Sequence, residues 1–136
     1  MARTGNATQW GDSFPPVQLL QEDIHLGRLY VVEEEGAVQG AFAFLLGEDP
    51  TYQVIEDGAW RSDAPYGTLH RVASSGAVRG LFGQMVEYAW SVIPHLRIDT
   101  HENNTVMRHL VEKYGFQRCG IIYIDDGTPR IAFERI

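Results

Sequence analysis

The sequence has little cysteine and no excess of basic residues. Cys119 is the only cysteine among 136 residues, which excludes an intramolecular disulfide and a metal site built from several cysteines. Its apolar neighbours predict a buried, unreactive thiol. Lysine and arginine total 11 against 18 aspartates and glutamates, for a formal net charge of -7. The basic stripe of a nucleic-acid-binding protein is therefore missing, and the acidic balance favours cationic small molecules over nucleic acid.

Long apolar runs are missing as well. The polar first nine residues lack the apolar stretch of a signal peptide, and no run approaches the roughly 20 apolar residues that cross a bilayer. Hydrophobic residues still make up 44% of the chain, which is enough to bury a core. These features predict a soluble, cytoplasmic protein without a membrane partner, folded as one domain over residues 1–136.

Hydrophobic periodicity and turn residues predict an α+β fold with a mixed sheet. The predicted elements are a short helix ending at Gly27, strands at 28–32, 38–46 and 68–74, a helix at 80–92, a strand at 96–100, a helix capped by Asn103 or Asn104, and strands at 116–124 and 130–134. Val54 and Ile55 are predicted as a short edge strand.

The turn between the third strand and the 80–92 helix is the most informative segment. It contains Gly76, Arg79 and Gly80 directly before a helix, and backbone N–H groups at such a helix end suit phosphate or pyrophosphate oxygens. Taken alone, a glycine-bearing turn before a helix is more often only a turn. The glycine spacing matches neither a Walker loop nor a dinucleotide fingerprint.

From Thr68 onward the chain resembles the GNAT superfamily of acyl-CoA-dependent N-acetyltransferases. The most specific part is Asn104 and Met107 on one helix, followed by Glu112-Lys-x-Gly-Phe116. The other matching segments are residues 69–74, 76–85, 98–101 and the 126–127 hairpin. The resemblance implies a three-layer fold with a mixed, mostly antiparallel central sheet flanked by helices. It also implies acetyl-CoA as the acyl donor, no metal, and a small-molecule or peptide amine as acceptor.

The resemblance also implies a binding site for acetyl-CoA. Val72 and Ser74 would bind the pantetheine arm through main-chain groups, and Asn104 would lie beside that arm. The pyrophosphate would bind the backbone amides of the turn, at Ala77, Val78, Arg79, Gly80, Leu81 and Phe82. The residues alone leave Val72 as a core position and Asn104 as a helix cap. Phe82 replaces the family's small residue, so close approach of phosphate requires that its ring point into the core.

The catalytic residues are less certain by the same comparison. The family's helix tyrosine, which reprotonates the CoA thiolate, corresponds here to Val111, and Tyr114 is not a simple substitute. The candidates for the general base are His70, His101 and Glu56, because histidine and carboxylate groups can take the proton of the attacking amine.

Other polar and aromatic positions carry weaker expectations. His25, His95 and His109 are predicted to be surface or helix positions, and they do not have the spacing of a metal site. The sequence leaves open whether Tyr123 faces the core or a cleft. Trp10, Trp60 and Tyr66 either wall an acceptor pocket or cover the sheet.

Three functions remain in order of preference. The first is an N-acetyltransferase in which a primary amine attacks the thioester directly. The second is a CoA-binding or sensing module without turnover, and the third is a structural interaction domain. Compared with the family, the chain is expected to lack the first strand and most of the first helix. The strand at 28–32 would then form an exposed edge, which makes a homodimer a specific expectation.

Overall fold

The computed structural model describes residue 21, residues 23–74 and residues 80–136. Helical residues 23–25 end at Gly27, whose φ is 68°. The elements that follow are β1 (Leu29–Glu34), β2 (Ala37–Leu46), a short 3-10 turn (Pro50–Tyr52), β3 (Gly67–Ser74), α1 (Leu81–Val92), β4 (Leu96–Thr100), α2 (Thr105–Lys113), β5 (Gln117–Tyr123) and β6 (Pro129–Arg135). Every main strand and helix predicted in this part of the chain is confirmed, with small changes of boundary.

The strands form one six-stranded sheet in the order β1-β2-β3-β4-β6-β5. Only the pair β3–β4 is parallel, which confirms a mixed, mostly antiparallel sheet. β1 lies at one edge, and no other strand in the described ranges pairs with its outer side. The expected absence of an earlier strand and helix concerns positions before residue 21, outside the described residues. Dimerisation through this edge stays a prediction.

Helices α1 and α2 pack on one face of the sheet, because each presents an apolar face to it. The main core on this face contains Leu69 of β3, Ile98 of β4 and Phe133 of β6. The helices contribute buried residues at Leu81, Phe82, Met85, Val86, Ala89, Met107 and Val111. No helix in these ranges is long and apolar enough to cross a membrane.

The opposite face of the sheet is covered by the segment 47–66. Tyr52 and Tyr66 are buried there against Ile122 and Ala132, and Trp60 packs beside them. The 3-10 turn in this segment was not predicted. The expected edge strand at 54–55 is wrong: the chain makes a single bridge, Glu56 to Ile121, before the turn at residues 57–58 leads it away from the sheet.

Candidate active site

The two parallel strands separate soon after they meet. β3 and β4 pair only at Gly67 with Leu96 and at Thr68 with Arg97. Residues 69–74 of β3 continue along β2, while β4 continues along β6. We call the opening between residues 69–74 and 98–100 the wedge. Val72 and Ser74, predicted to bind the pantetheine arm, both lie on the β3 side of the wedge.

β3 contains a β-bulge beside the wedge. Ala41 and Ala43 of β2 pair with Ala73 and His70, so β3 has one residue more than β2 between these two pairs. Within this stretch, Arg71 has a left-handed backbone with a φ of 50°. Because a bulge bends its strand and changes where backbone and side chains point, His70 and the following residues are turned out of a regular ladder.

His70 forms a close pair with Asp49. Its Nε2 lies 2.9 Å from the Oδ2 of Asp49. Partial burial raises the pKa of Asp49, but hydrogen bonds from His70 and Thr51 outweigh burial and lower that pKa to about 2. Since the carboxylate is ionised, we assign the proton to Nε2, which donates it, and leave Nδ1 of the neutral imidazole as the acceptor. Such a pair is suited to accept a proton.

Asp49 is held firmly in the orientation that this pair requires. Its Oδ1 caps the 3-10 turn by accepting hydrogen bonds from the backbone N–H and hydroxyl of Thr51, at 2.9 and 2.7 Å. Its own N–H donates to the Tyr66 hydroxyl at 2.8 Å. With Oδ1 engaged in the turn, Oδ2 remains to accept from His70.

A buried tyrosine connects the two sides of the wedge. The Tyr52 ring lies 6.2 Å from the His70 imidazole, centroid to centroid. Its hydroxyl donates to Oδ2 of Asp99, on β4, at 2.7 Å. Burial and the nearby Asp99 charge raise the pKa of Tyr52 well above its usual range. Tyr52 therefore stays protonated and acts as a fixed donor between the strands.

The other two base candidates are bound differently. Nδ1 of His101 accepts a hydrogen bond from the backbone N–H of Asn103 at 3.0 Å. Glu56 is exposed, and its Oε1 accepts from the Tyr123 hydroxyl at 3.1 Å, at the surface beside β5. Tyr123 thus faces neither the core nor the wedge. The geometry favours His70, whose acceptor nitrogen has no hydrogen bond from the described residues.

The start of α1 offers an open backbone. Gly80 precedes α1 with a φ of 78° and supplies no side-chain cap, and the first intrahelical bond runs from Gln84 N–H to its carbonyl. The N–H groups of Leu81 and Phe82 therefore have no partner within the helix. Both side chains are buried in the core, which confirms that the Phe82 ring points inward. Ala77, Val78 and Arg79 lie outside the described residues.

Helix α2 places the remaining residues of the resemblance. Asn104 is buried and caps α2, because its Oδ1 accepts from the Met107 N–H at 3.0 Å. Its contact with a pantetheine arm stays a prediction. Val111, at the position of the family's tyrosine, is fully buried in the main core. The Tyr114 ring packs against Phe82, 5.9 Å between centroids, at the start of α1.

A second buried polar group lies near the closed end of the wedge. The Arg97 guanidinium is sandwiched between the Trp60 and Tyr66 rings, 4.0 Å from each centroid. Glu134 accepts from Nε2 of His95 at 2.5 Å and from Arg97 at 3.3 Å. The prediction that His95 is a surface or helix position is wrong, because this ion pair buries it. Trp60 and Tyr66 cover the sheet, and Trp10 lies outside the described residues.

Cys119 borders the same group. It is buried, and burial together with Glu134 raises the pKa of its thiol to about 11, which confirms the predicted inert thiol. No set of three or more His, Cys, Asp or Glu side chains in the described parts of the chain is arranged to hold a metal.

Asp49, Tyr52 and Asp99 were missed by sequence reasoning. Asp-Pro at positions 49–50 is a recognisable turn start, so the cap itself had a signal. Nothing in the sequence indicated that this carboxylate would meet a histidine 21 positions later, because the contact depends on how the 47–66 segment crosses the sheet.

The comparisons with known proteins agree with this geometry. No protein-family model matches the chain, and no curated protein matches it. Among solved structures, a GNAT-family acetyltransferase from Streptococcus agalactiae is 32% identical, with a TM-score of 0.85, covering 97% of this chain and 79% of that one. A GNAT-family acetyltransferase from Listeria monocytogenes is 24% identical with a TM-score of 0.63, covering 88% and 70%.

The NatB acetyltransferase complex, solved with CoA and MES bound, is 13% identical with a TM-score of 0.62 and covers 88% of this chain and 81% of that one. The two more distant similarities show the fold alone. The Streptococcus agalactiae protein has both the identity and the coverage that establish a family relationship. The chain belongs to the GNAT family of acetyltransferases.

Proposed function

We propose that the protein is an N-acetyltransferase that moves the acetyl group of acetyl-CoA to a primary amine. The observation that carries this proposal is the His70–Asp49 pair, which places an oriented base on β3 beside the wedge. Family membership supports the acetyl transfer, and the pair supports turnover by direct attack of the amine.

The residues around the wedge fit the donor. A Cβ built on Gly80 would meet no atom within 4 Å, so the backbone before α1 is approachable. The Thr100 hydroxyl, at the end of β4, is fully buried without a partner among the described residues. Because buried hydroxyls are normally bonded, Thr100 is suited to meet a polar ligand atom. Acetyl-CoA supplies the acyl group as a thioester; β3 would hold its arm, and the amides before and within α1 its phosphates.

His70 would act on the acceptor. A neutral amine attacks the thioester carbonyl carbon, and Nδ1 of His70 takes the amine proton directly or through water. Backbone N–H groups of the bulged part of β3 stabilise the charge that develops on the carbonyl oxygen. The C–S bond then breaks, and the departing sulfur takes a proton. Val111 has no hydroxyl to supply it, so we assign this step to the imidazolium of His70 or to water.

The acceptor is proposed to be a cationic amine, either a small molecule or a peptide. The net charge of -7 attracts cations by long-range electrostatics, and Asp99 places an acidic group on the β4 side of the wedge. A panel of amines in a thiol-release assay tests this choice. Equal or better turnover of neutral or anionic amines would contradict it.

The alternative is a CoA-binding or sensing module without turnover, and Val111 in place of the tyrosine favours it. Isothermal titration with acetyl-CoA separates both functions from a purely structural one, since absence of binding at millimolar ligand would exclude them. Thiol release with an amine then separates the two. Loss of thiol release in His70→Ala, with the acetyl-CoA affinity unchanged, supports His70 as the base. Unchanged turnover rejects it.

A further inference from the structure

Arg71 has a backbone conformation that its side chain disfavours. It is one of three non-glycine residues with positive φ in the described ranges; the others are Glu35 and Asp57. Those two lie in a turn and a bend, whereas Arg71 lies inside a strand. A left-handed residue within a strand persists only where its surroundings hold it, and such residues concentrate at functional sites.

An ion pair holds Arg71 in this conformation. Its Nε and one terminal nitrogen donate to the two carboxylate oxygens of Asp23, each at 2.7 Å. This two-point geometry fixes the orientation of the guanidinium as well as its position. Asp23 is fully buried and lies in the helical segment before β1, 48 positions from Arg71. The contact thus ties the bulge of β3 to a distant part of the chain.

Asp23 is itself held from a second side. Arg28 donates from its side chain to Oδ1 of Asp23 at 2.8 Å and from its backbone to the Asp23 carbonyl at 2.9 Å. Burial raises the pKa of Asp23, but the bonds from Arg71 and Arg28 outweigh burial and lower it. The carboxylate is therefore ionised when it binds Arg71.

We propose that Asp23 is a positioning residue for acetyl transfer, acting through Arg71. By holding Arg71 left-handed, it maintains the bulge that directs His70 and the backbone of residues 72–74 toward the wedge. The role rests on the proposed function, since it is in acetyl transfer that the orientation of β3 matters. Asp23 touches neither donor nor acceptor in this proposal, and Arg28 serves to anchor it.

Two substitutions at position 71 separate backbone conformation from charge. Arg71→Gly and Arg71→Ala both remove the ion pair, but only glycine adopts positive φ without strain. We expect kcat/KM to fall by about 100-fold in Arg71→Ala, as when reacting groups move by about 1 Å. Arg71→Gly should retain about ten-fold more activity, because it keeps the bulge accessible. Glu35→Gly and Glu35→Ala are the matched pair at an exposed left-handed residue, and they should alter stability without altering kcat/KM.

Asp23→Asn tests the other partner with a readout that does not need turnover. We expect faster amide hydrogen exchange at residues 70–73, unchanged exchange in β6, and weaker acetyl-CoA binding by titration. If this buried substitution prevents folding, the comparison at position 71 decides instead. Equal activities of Arg71→Gly and Arg71→Ala, or unchanged exchange in a folded Asp23→Asn, would overturn the proposal. Absence of acetyl-CoA binding by the wild-type protein would instead refute the proposed function.

Discussion

Replacing Asp49 with asparagine tests the most specific feature of the site. Asparagine keeps the size of the side chain and an oxygen that can cap the 3-10 turn through Thr51. It removes the negative charge that accepts the Nε2 proton of His70. The substitution therefore leaves the imidazole in place and removes what fixes its tautomer and stabilises its protonated form.

The size of the effect follows from the pKa of Asp49. Its value of about 2, against 3.8 for an ordinary aspartate, corresponds to about 2 kcal/mol in favour of the ionised carboxylate. The hydrogen bond from His70 is the first of the interactions that lower this pKa. If most of this energy also stabilises the imidazolium formed during catalysis, its loss lowers kcat/KM by about 30-fold.

The pH dependence gives the second readout. Without the carboxylate, the protonated imidazole is less stable, so the base stays unprotonated to lower pH. The acid limb of the kcat/KM profile in Asp49→Asn should then move to lower pH by about one pH unit. The assay is thiol release from acetyl-CoA at saturating amine between pH 5 and 9, alongside titration of acetyl-CoA affinity.

A control for the turn is available in the same chain. Asp126 caps the β5–β6 hairpin as Asp49 caps its turn, accepting from the backbone and hydroxyl of Thr128, but it has no histidine partner. Asp126→Asn should leave rate and pH profile unchanged. If Asp49→Asn behaves like this control while His70→Gln is inactive, the reasoning about the pair is refuted.

Three further predictions concern the scaffold. Gly80→Ala should weaken acetyl-CoA binding and cost about 1–2 kcal/mol, because φ is 78° and no neighbour lies near the added carbon; Gly80→Asn should lose less, and equal affinities measured by titration would contradict this. Gly83→Ala places a carbon 2.8 Å from the Tyr114 ring, so thermal denaturation should show about 1 kcal/mol of destabilisation that reverses in a Tyr114→Ala background. Light scattering should show a dimer if the β1 edge is an interface, and a strict monomer at high concentration would contradict it.

The scaffold was predictable because its signals are local. β4 was predicted at its observed bounds, 96–100, since a short apolar run follows Pro94. Asn104 was one of two predicted caps, and its bond to the Met107 N–H is a contact between neighbours in sequence. The inward direction of the Phe82 ring followed from the apolar periodicity of α1. Each of these depends on interactions within a few residues.

The buried ion pairs could not be predicted in the same way. His95 and Glu134 are 39 positions apart, and neither has a neighbour that identifies it as buried. A lone histidine after a proline is more often exposed, so the expectation was reasonable and wrong. The decisive factor is the sheet order, which places β6 directly beside β4 and brings the two side chains together.

The candidate site depends on the same kind of contact at two consecutive residues. His70 is held by Asp49 and Arg71 by Asp23, so two separate segments each supply a carboxylate to one short stretch of β3. Holding two adjacent side chains against a bulge costs conformational entropy, and a strand that needed only to complete a sheet would gain little from it. Fixing the position of a base and of the backbone beside it is a gain of the kind that catalysis requires. If both carboxylates serve this purpose, Asp49→Asn should alter the pH profile, whereas Asp23→Asn should lower the rate without moving it.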